Sequence, residues 1–175
     1  MLVGRFRQSI QRQSSSSWDY EQIGPEELGL IRQALQDYDG AITLDPTYAK
    51  AYLYRGRFHM SMSDLDKAIS DFDRAIILDD VYFDAYKAKA EALYDQGKYE
   101  LAIIDYGLAI ELRPDEPGSY LGRGAAFVLN GDIQAANLDY DIAIELDRDN
   151  AFAYHQRSVV YTLMGRITES QSDEA

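Results

Sequence analysis

Apolar residues along Tyr99–Pro114 (YELAIIDYGLAIELRP) recur in steps of three and four: Tyr99, Ala102, Ile103, Tyr106, Ala109, Ile110 and Leu112. That spacing lays them on one face of a helix, and Pro114 ends it because proline cannot continue the hydrogen-bond ladder. The same design is written at Ile31–Pro46, Asp66–Asp80 and Gln134–Arg148. The pattern predicts first helices at Ala49–Met62, Phe83–Asp95, Pro117–Asn130 and Ala151–Met164. Second helices are expected at Leu65–Leu78, Tyr99–Leu112 and Ile133–Leu146, with Ile31–Leu44 before them and a short Ile167–Glu174 after. A chain that repeats one element has to be read as an array.

The period of the array is 34 residues. Trp18, Tyr52, Tyr86, Tyr120 and Tyr154 stand at that spacing, and so do Gly29, Ser63, Gly97, Gly131 and Gly165. The second set suits tight interhelical turns. Three further series sit on the second helices: Ala34, Ala68, Ala102, Ala136 and then Ser170; Tyr38, Phe72, Tyr106 and Tyr140; and Ala41, Ala75, Ala109 and Ala143. Pro46 and Pro114 close two units, where Asp80 and Arg148 stand in the others. Small residues on one helix facing large ones on the next predict a densely interlocked interior. Seven of the 14 tyrosines fall on these series, and Tyr48, Tyr82, Tyr99 and Tyr161 fall on further packing slots of the repeat, which makes the tyrosine content packing rather than a ligand cage.

From Trp18 onward this grammar resembles the tetratricopeptide repeat (TPR) family. Aromatic, small middle residue (Gly56, Ala90, Gly124, Ser158), small turn residue, alanine, aromatic, alanine and closing proline follow in the family's order. The resemblance implies an all-α, right-handed superhelical solenoid of helix–turn–helix repeats. Its units would be a degenerate repeat at 18–48, full repeats at 49–82, 83–116 and 117–150, and a partial repeat or capping helix at 151–175. Gly24-Pro25 interrupts the first helix of the first unit, so that helix is expected to be short or broken.

Totals narrow the function. With 175 residues, 46% of them hydrophobic, the chain can bury one core. It has no cysteine, which excludes disulfides, thiolate metal sites and thiol chemistry and suits a reducing compartment, so the cytoplasm is the expected location. No apolar run reaches the length of a membrane span. The net charge of −13, from 30 acidic and 17 basic residues, argues against nucleic-acid binding and for neutral or basic protein partners. Residues 1–17 differ from the rest: Arg5, Arg7 and Arg12, no acid, and the run Ser14–Ser17. A disordered tail is the plain reading; an organelle-targeting segment or a partner-binding arm are the alternatives. Leu2, Phe6 and Ile10 stand four apart, the spacing of a short amphipathic helix.

Polar residues also keep the period. Arg55, Lys89, Arg123 and Arg157 recur on the first helices, and Asp37, Asp71, Asp105, Asp139 and Asp173 on the second. An ion-pair ladder is expected, with Asp37–Arg55, Asp71–Lys89, Asp105–Arg123 and Asp139–Arg157 leaving fewest orphans. Pairing within a unit stays open, and exposed pairs would contribute about 0–1 kcal/mol each. The doublets Asp37/Asp39, Asp71/Asp73 and Asp139/Asp141 resemble chelating pairs, but residues two apart on a helix point to nearly opposite sides. Asp37-Tyr-Asp-Gly40 opens like a calcium loop and then continues as helix. His59 and His155 lack carboxylate or serine partners in sequence, and no nucleophile–base set or phosphate loop appears. Neither an enzyme, a metal site nor a cofactor is expected.

The TPR resemblance implies that the non-packing face of each first helix forms the inner wall of a groove. In this sequence that wall comprises Lys50, Leu53, Arg57 and Met60; Asp84, Lys87, Glu91 and Tyr94; Leu121, Ala125 and Val128; and Phe152, His155, Val159 and Thr162. It changes from mixed charge to apolar, which suits a peptide with aliphatic anchors at one end. Some TPR proteins grip the carboxylate tail of chaperones with lysine, asparagine and arginine; those places hold Leu53, Arg57, Ala88, Gly118 and Gly122, so that ligand is not expected. The expected function is a non-catalytic scaffold for a protein or peptide partner. The alternatives are a homo-oligomer formed through the terminal helices, or a regulatory or adaptor subunit of an enzyme complex.

Overall fold

A computed structural model describes residues 25–165, so expectations that fall on residues 1–24 and 166–175 lie outside the described residues. Eight helices and no strand make up the described part: α1 (Pro25–Leu44), α2 (Ala49–Ser61), α3 (Leu65–Leu78), α4 (Phe83–Asp95), α5 (Tyr99–Leu112), α6 (Pro117–Asn130), α7 (Ile133–Leu146) and α8 (Ala151–Leu163). Each helix packs on the next, giving an all-α solenoid of helix pairs. The first helices of successive pairs, α2, α4, α6 and α8, also touch one another, so the array closes more tightly on their side.

Turns within the pairs follow one design. Gly97, Gly131 and Gly165 have φ of 75°, 89° and 75°, and Ser63 takes the same conformation at φ 58°. In the first turn Ser63 N–H donates to the Met60 carbonyl at 3.0 Å and Asp64 N–H to the His59 carbonyl at 2.9 Å. This doubly bonded, left-handed helix end satisfies two carbonyls that the helix leaves open. The first unit departs from the pattern. Gly29 is not a turn but lies inside α1, a continuous 20-residue helix that starts at Pro25. Pro25 opens the helix rather than breaking it, because a first-turn residue needs no N–H partner.

Large-into-small packing sets the helix separation within each pair. Phe72 and Tyr140 are fully buried and Tyr106 is 4% exposed, while Ala68, Ala75, Ala102, Ala109, Ala136 and Ala143 are buried around them. A methyl group added to Gly56 would lie 2.6 Å from the Phe72 ring, and one added to Gly124 would lie 2.6 Å from the Tyr140 ring. The same aromatic series reaches forward at Tyr106, whose ring occupies the space that a side chain on Gly122 would need. Where the loop carries proline, the tyrosine six residues on ties it down. The Tyr52 hydroxyl donates to the Pro46 carbonyl at 3.2 Å and that of Tyr120 to the Pro114 carbonyl at 3.0 Å.

The ion-pair ladder exists with a different register from the one expected. Arg55 bonds Asp71 of its own pair through two nitrogens at 2.9 and 2.6 Å, and Arg123 bonds Asp139 in the same way at 2.8 Å each. Lys89 lies 3.3 Å from Asp105. The link to the preceding pair comes from the other member of each doublet: Asp39 to Arg55 at 2.6 Å, Asp73 to Lys89 at 2.9 Å, Asp141 to Arg157 at 2.6 Å. Two carboxylates on opposite sides of one helix thus serve two different cations, one behind and one ahead. Asp71 and Asp139 are 6% and 3% exposed, so the value for surface pairs does not apply; removing one partner strands a buried charge, at about 3–5 kcal/mol. At Asp105 burial outweighs the Lys89 ammonium and pushes the carboxyl up. Asp71 first, and Asp39 to a smaller extent, hold the Arg55 guanidinium firmly in its charged form.

Two substitutions test these local rules. Ser63→Gly relieves a side chain held in the left-handed region and is expected to raise unfolding free energy by about 0.5–1 kcal/mol in urea titrations; no gain would contradict a strained turn. The pair α4–α5 has Gly107 where the others have the linking aspartate, and a methyl group added there would sit 3.8 Å from an Arg123 nitrogen, in ordinary contact. Gly107→Asp is expected to stabilise by about 0.5–1 kcal/mol more than Gly107→Ala, because it completes the clamp on Arg123. Equal gains for both would mean that the second carboxylate contributes nothing.

Candidate partner-binding wall

Positions of the expected wall lie on α2, α4, α6 and α8, the helices on the more tightly closed side. On α2, Lys50 and Arg57 are exposed and Met60 is half-buried against the core. Leu53 does not belong to an open wall. It is 2% exposed and packs in the cluster with Tyr52, Ala68 and Phe72. An apolar side chain at a position that carries Lys87 in the next unit turns into the core rather than towards solvent.

The wall of α4 is polar and closed on itself. Asp84 faces Arg57 at 3.6 Å and Arg113 at 4.0 Å, and the Arg113 guanidinium stacks 4.2 Å above the Phe83 ring. Lys87 donates to Glu116 at 2.8 Å. The other Glu116 oxygen accepts from the Ser119 N–H and hydroxyl, each at 2.8 Å, and so caps α6. Burial alone would raise the Glu116 carboxyl, but Lys87 and Ser119 outweigh it and hold it below the usual range. This knot passes over Gly118, where an added methyl group would lie 2.7 Å from Glu116 and 2.9 Å from the Lys87 nitrogen. Glu91 is half-buried; burial pushes its carboxyl up, against the opposing pull of Lys87 and Arg57. Tyr94 stands edge-on to Tyr99 with ring centres 5.6 Å apart.

Further along, Leu121, Ala125 and Val128 on α6 are half-buried, with Leu121 and Val128 leaning on the Ala136–Tyr140–Val160 cluster. On α8 the side chains stand out: Phe152 is 58% and Val159 40% exposed, and His155 and Thr162 are exposed as well. Two residues that take part in the polar stretch, Glu116 and Arg113, come from the loop between α5 and α6. Helix periodicity passes over loops; Pro117 at the first helical position marks the start of α6 in the sequence, but a glutamate cap is not among the preferred ones. Among the described residues no group of His, Asp or Glu side chains is placed to hold a metal ion, and no helix is long and apolar enough to cross a membrane.

Known proteins fall in line with this geometry. A tetratricopeptide repeat family model matches residues 26–82 and a TPR repeat model matches residues 90–131. No curated protein matches the chain by sequence. The crystal structure of MamA superposes with a TM-score of 0.79 at 20% identity, over 87% of this chain and 91% of that one. YrrB, described as a TPR protein with an unusual peptide-binding site, gives a TM-score of 0.72 at 20% identity over 85% and 76%. The first TPR of Spaghetti (RPAP3), solved bound to the HSP90 peptide SRMEEVD, gives 0.65 at 22% identity over 67% and 93%. At such identities the likeness establishes the fold. The 34-residue period, the interlocked helix pairs and the two family matches together make this chain a tetratricopeptide repeat protein.

Proposed function

We propose that the chain is a non-catalytic interaction scaffold that binds an extended or helical peptide of a protein partner along the helix wall α2–α4–α6–α8. The observation that carries this reading is the exposed apolar end of the wall. Phe152 and Val159 hold 58% and 40% of their surface open to water on α8, and a purely solvated face needs no such side chains. The peptide-bound RPAP3 repeat and the peptide-binding site named for YrrB support the same use of the fold. The polar end sets direction rather than capturing a free carboxylate. Lys87 already faces Glu116 and Arg57 faces Asp84, so a chaperone-type carboxylate tail would compete with carboxylates in place.

Self-assembly through the terminal helix is the second reading, favoured by Leu163, 58% exposed beside Phe152 and Val159 on α8. A displayed peptide library separates the two. Binders with paired aliphatic anchors are expected, and Phe152→Asp with Val159→Glu is expected to weaken them at least about tenfold, the cost of about 1.4 kcal/mol in lost apolar contact, with circular dichroism unchanged. Binding untouched by those substitutions would reject this wall. Self-assembly predicts instead a mass by light scattering that rises with concentration and falls to monomer in the same double variant.

A further inference from the structure

The solvent side of the second helices changes character halfway along the array. At three outward positions α1 carries Gln33, Gln36 and Gly40, and α3 carries Lys67, Ser70 and Arg74. At the same positions α5 carries Leu101, Ile104 and Leu108, and α7 carries Ala135, Leu138 and Ile142. Leu101, Ile104, Leu138 and Ile142 are 50%, 58%, 63% and 36% exposed. Because α5 also buries Ala102, Tyr106, Ala109 and Ile110 on its inner face, it is apolar nearly all round, the composition of a helix covered on both sides. Together these four side chains leave roughly 400 Å² open to water, within the range of the largest apolar patches on soluble proteins, which are often functional. Glu100, Glu111 and Glu145 stand exposed at its edges.

We propose that this patch is the docking site of the chain's own amino-terminal segment, Leu2–Arg12, lying across α5 towards α7 as a short amphipathic helix. Wound as a helix, Leu2, Phe6 and Ile10 form one stripe, with Arg5 and Arg12 on one flank and Arg7 on the other. The stripe meets the leucines and isoleucines, and the flanking arginines meet the glutamates of the rim. Charge favours this occupant over a second copy of the patch. Residues 1–17 carry +3 without an acid, while the remainder carries −16, three more negative than the whole chain's −13. Two such bodies would repel each other, whereas the segment is drawn in. The tether also reaches. Twelve residues, 13–24, span up to about 40 Å, and α5 lies four helix-packing steps of about 8–10 Å from α1. The proposal is independent of the peptide wall, which lies on the opposite set of helices.

Since the chain has no cysteine, a nitroxide attached at Gln8→Cys reports the position of the segment in the full-length protein. Amide signals of residues 101–108 and 135–142 are expected to lose more than half their intensity, while those of α1 and α2 keep theirs. A mixture of spin-labelled chain and separate isotope-labelled chain is expected to show no loss. Leu138→Lys, at the most exposed side chain of the patch, and separately Arg5→Glu with Arg7→Glu, outside the described helices, should each restore the signals. Loss centred on α2, α4 or α6, uniform weak loss, or loss in the mixture would overturn the assignment, the last by showing that another copy supplies the segment.

Discussion

One contact recurs in the helix pairs from α2 onward and sets their geometry: an aromatic ring from the second helix pressed onto a residue with little or no side chain on the first. Phe72 on Gly56 and Tyr140 on Gly124 leave no room for even a methyl group, and Tyr106 shares its cluster with Ala90. The buried alanines on either side of each ring let the helices close around it. Close-packed interiors tolerate little change in volume. This contact therefore holds one face of every helix to a narrow set of residues and leaves the others free to vary. The proposed partner wall draws on such freedom, since its residues on α2, α4, α6 and α8 differ from unit to unit.

The charged clamp does a second job that packing alone cannot. Dispersion between helices is non-directional, but a cation held between carboxylates of the preceding and the same pair registers one unit against the next. Arg55 between Asp39 and Asp71, and Lys89 between Asp73 and Asp105, are such joints. In each case one carboxylate is buried and the other is at least half-exposed or close to it, so the inner contact carries the cost of disruption and the outer one adjusts. Such nearest-neighbour joints are what makes a repeat array behave as a chain of coupled units rather than separate hairpins.

Much of this was legible in the sequence, for a physical reason: a strict period turns every slot into several independent observations. The limits of α3 to α7 follow from apolar spacing alone, and α2 and α8 end one residue short of expectation. Four features were not legible. That the carboxylates of each doublet diverge was legible, yet the consequence, that they serve different cations, needs the distances; counting orphans favoured the wrong register. Gly29 occupies the place of a turn, but a glycine permits a left-handed turn without requiring one, and Pro25 is as good a helix start as a break. Leu53 shares its slot with half-buried Lys87 and Leu121 and exposed His155, and only its neighbours show that it points inward. The wall's loop-borne members, Glu116 and Arg113, escaped because periodicity speaks for helices.

The primacy of the ring-on-glycine contact can be measured by the sign of one substitution. In an ordinary helix interior, glycine to alanine stabilises by up to about 1 kcal/mol. Gly40 on α1 has nothing within 4 Å of an added methyl group, so Gly40→Ala should show that gain. Gly124→Ala places the same methyl group 2.6 Å from the Tyr140 ring. Urea denaturation of the two variants should give opposite signs, with Gly124→Ala losing about 1–3 kcal/mol. Stabilisation by Gly124→Ala, comparable to that at Gly40, would contradict the claim that this contact sets the spacing of the solenoid.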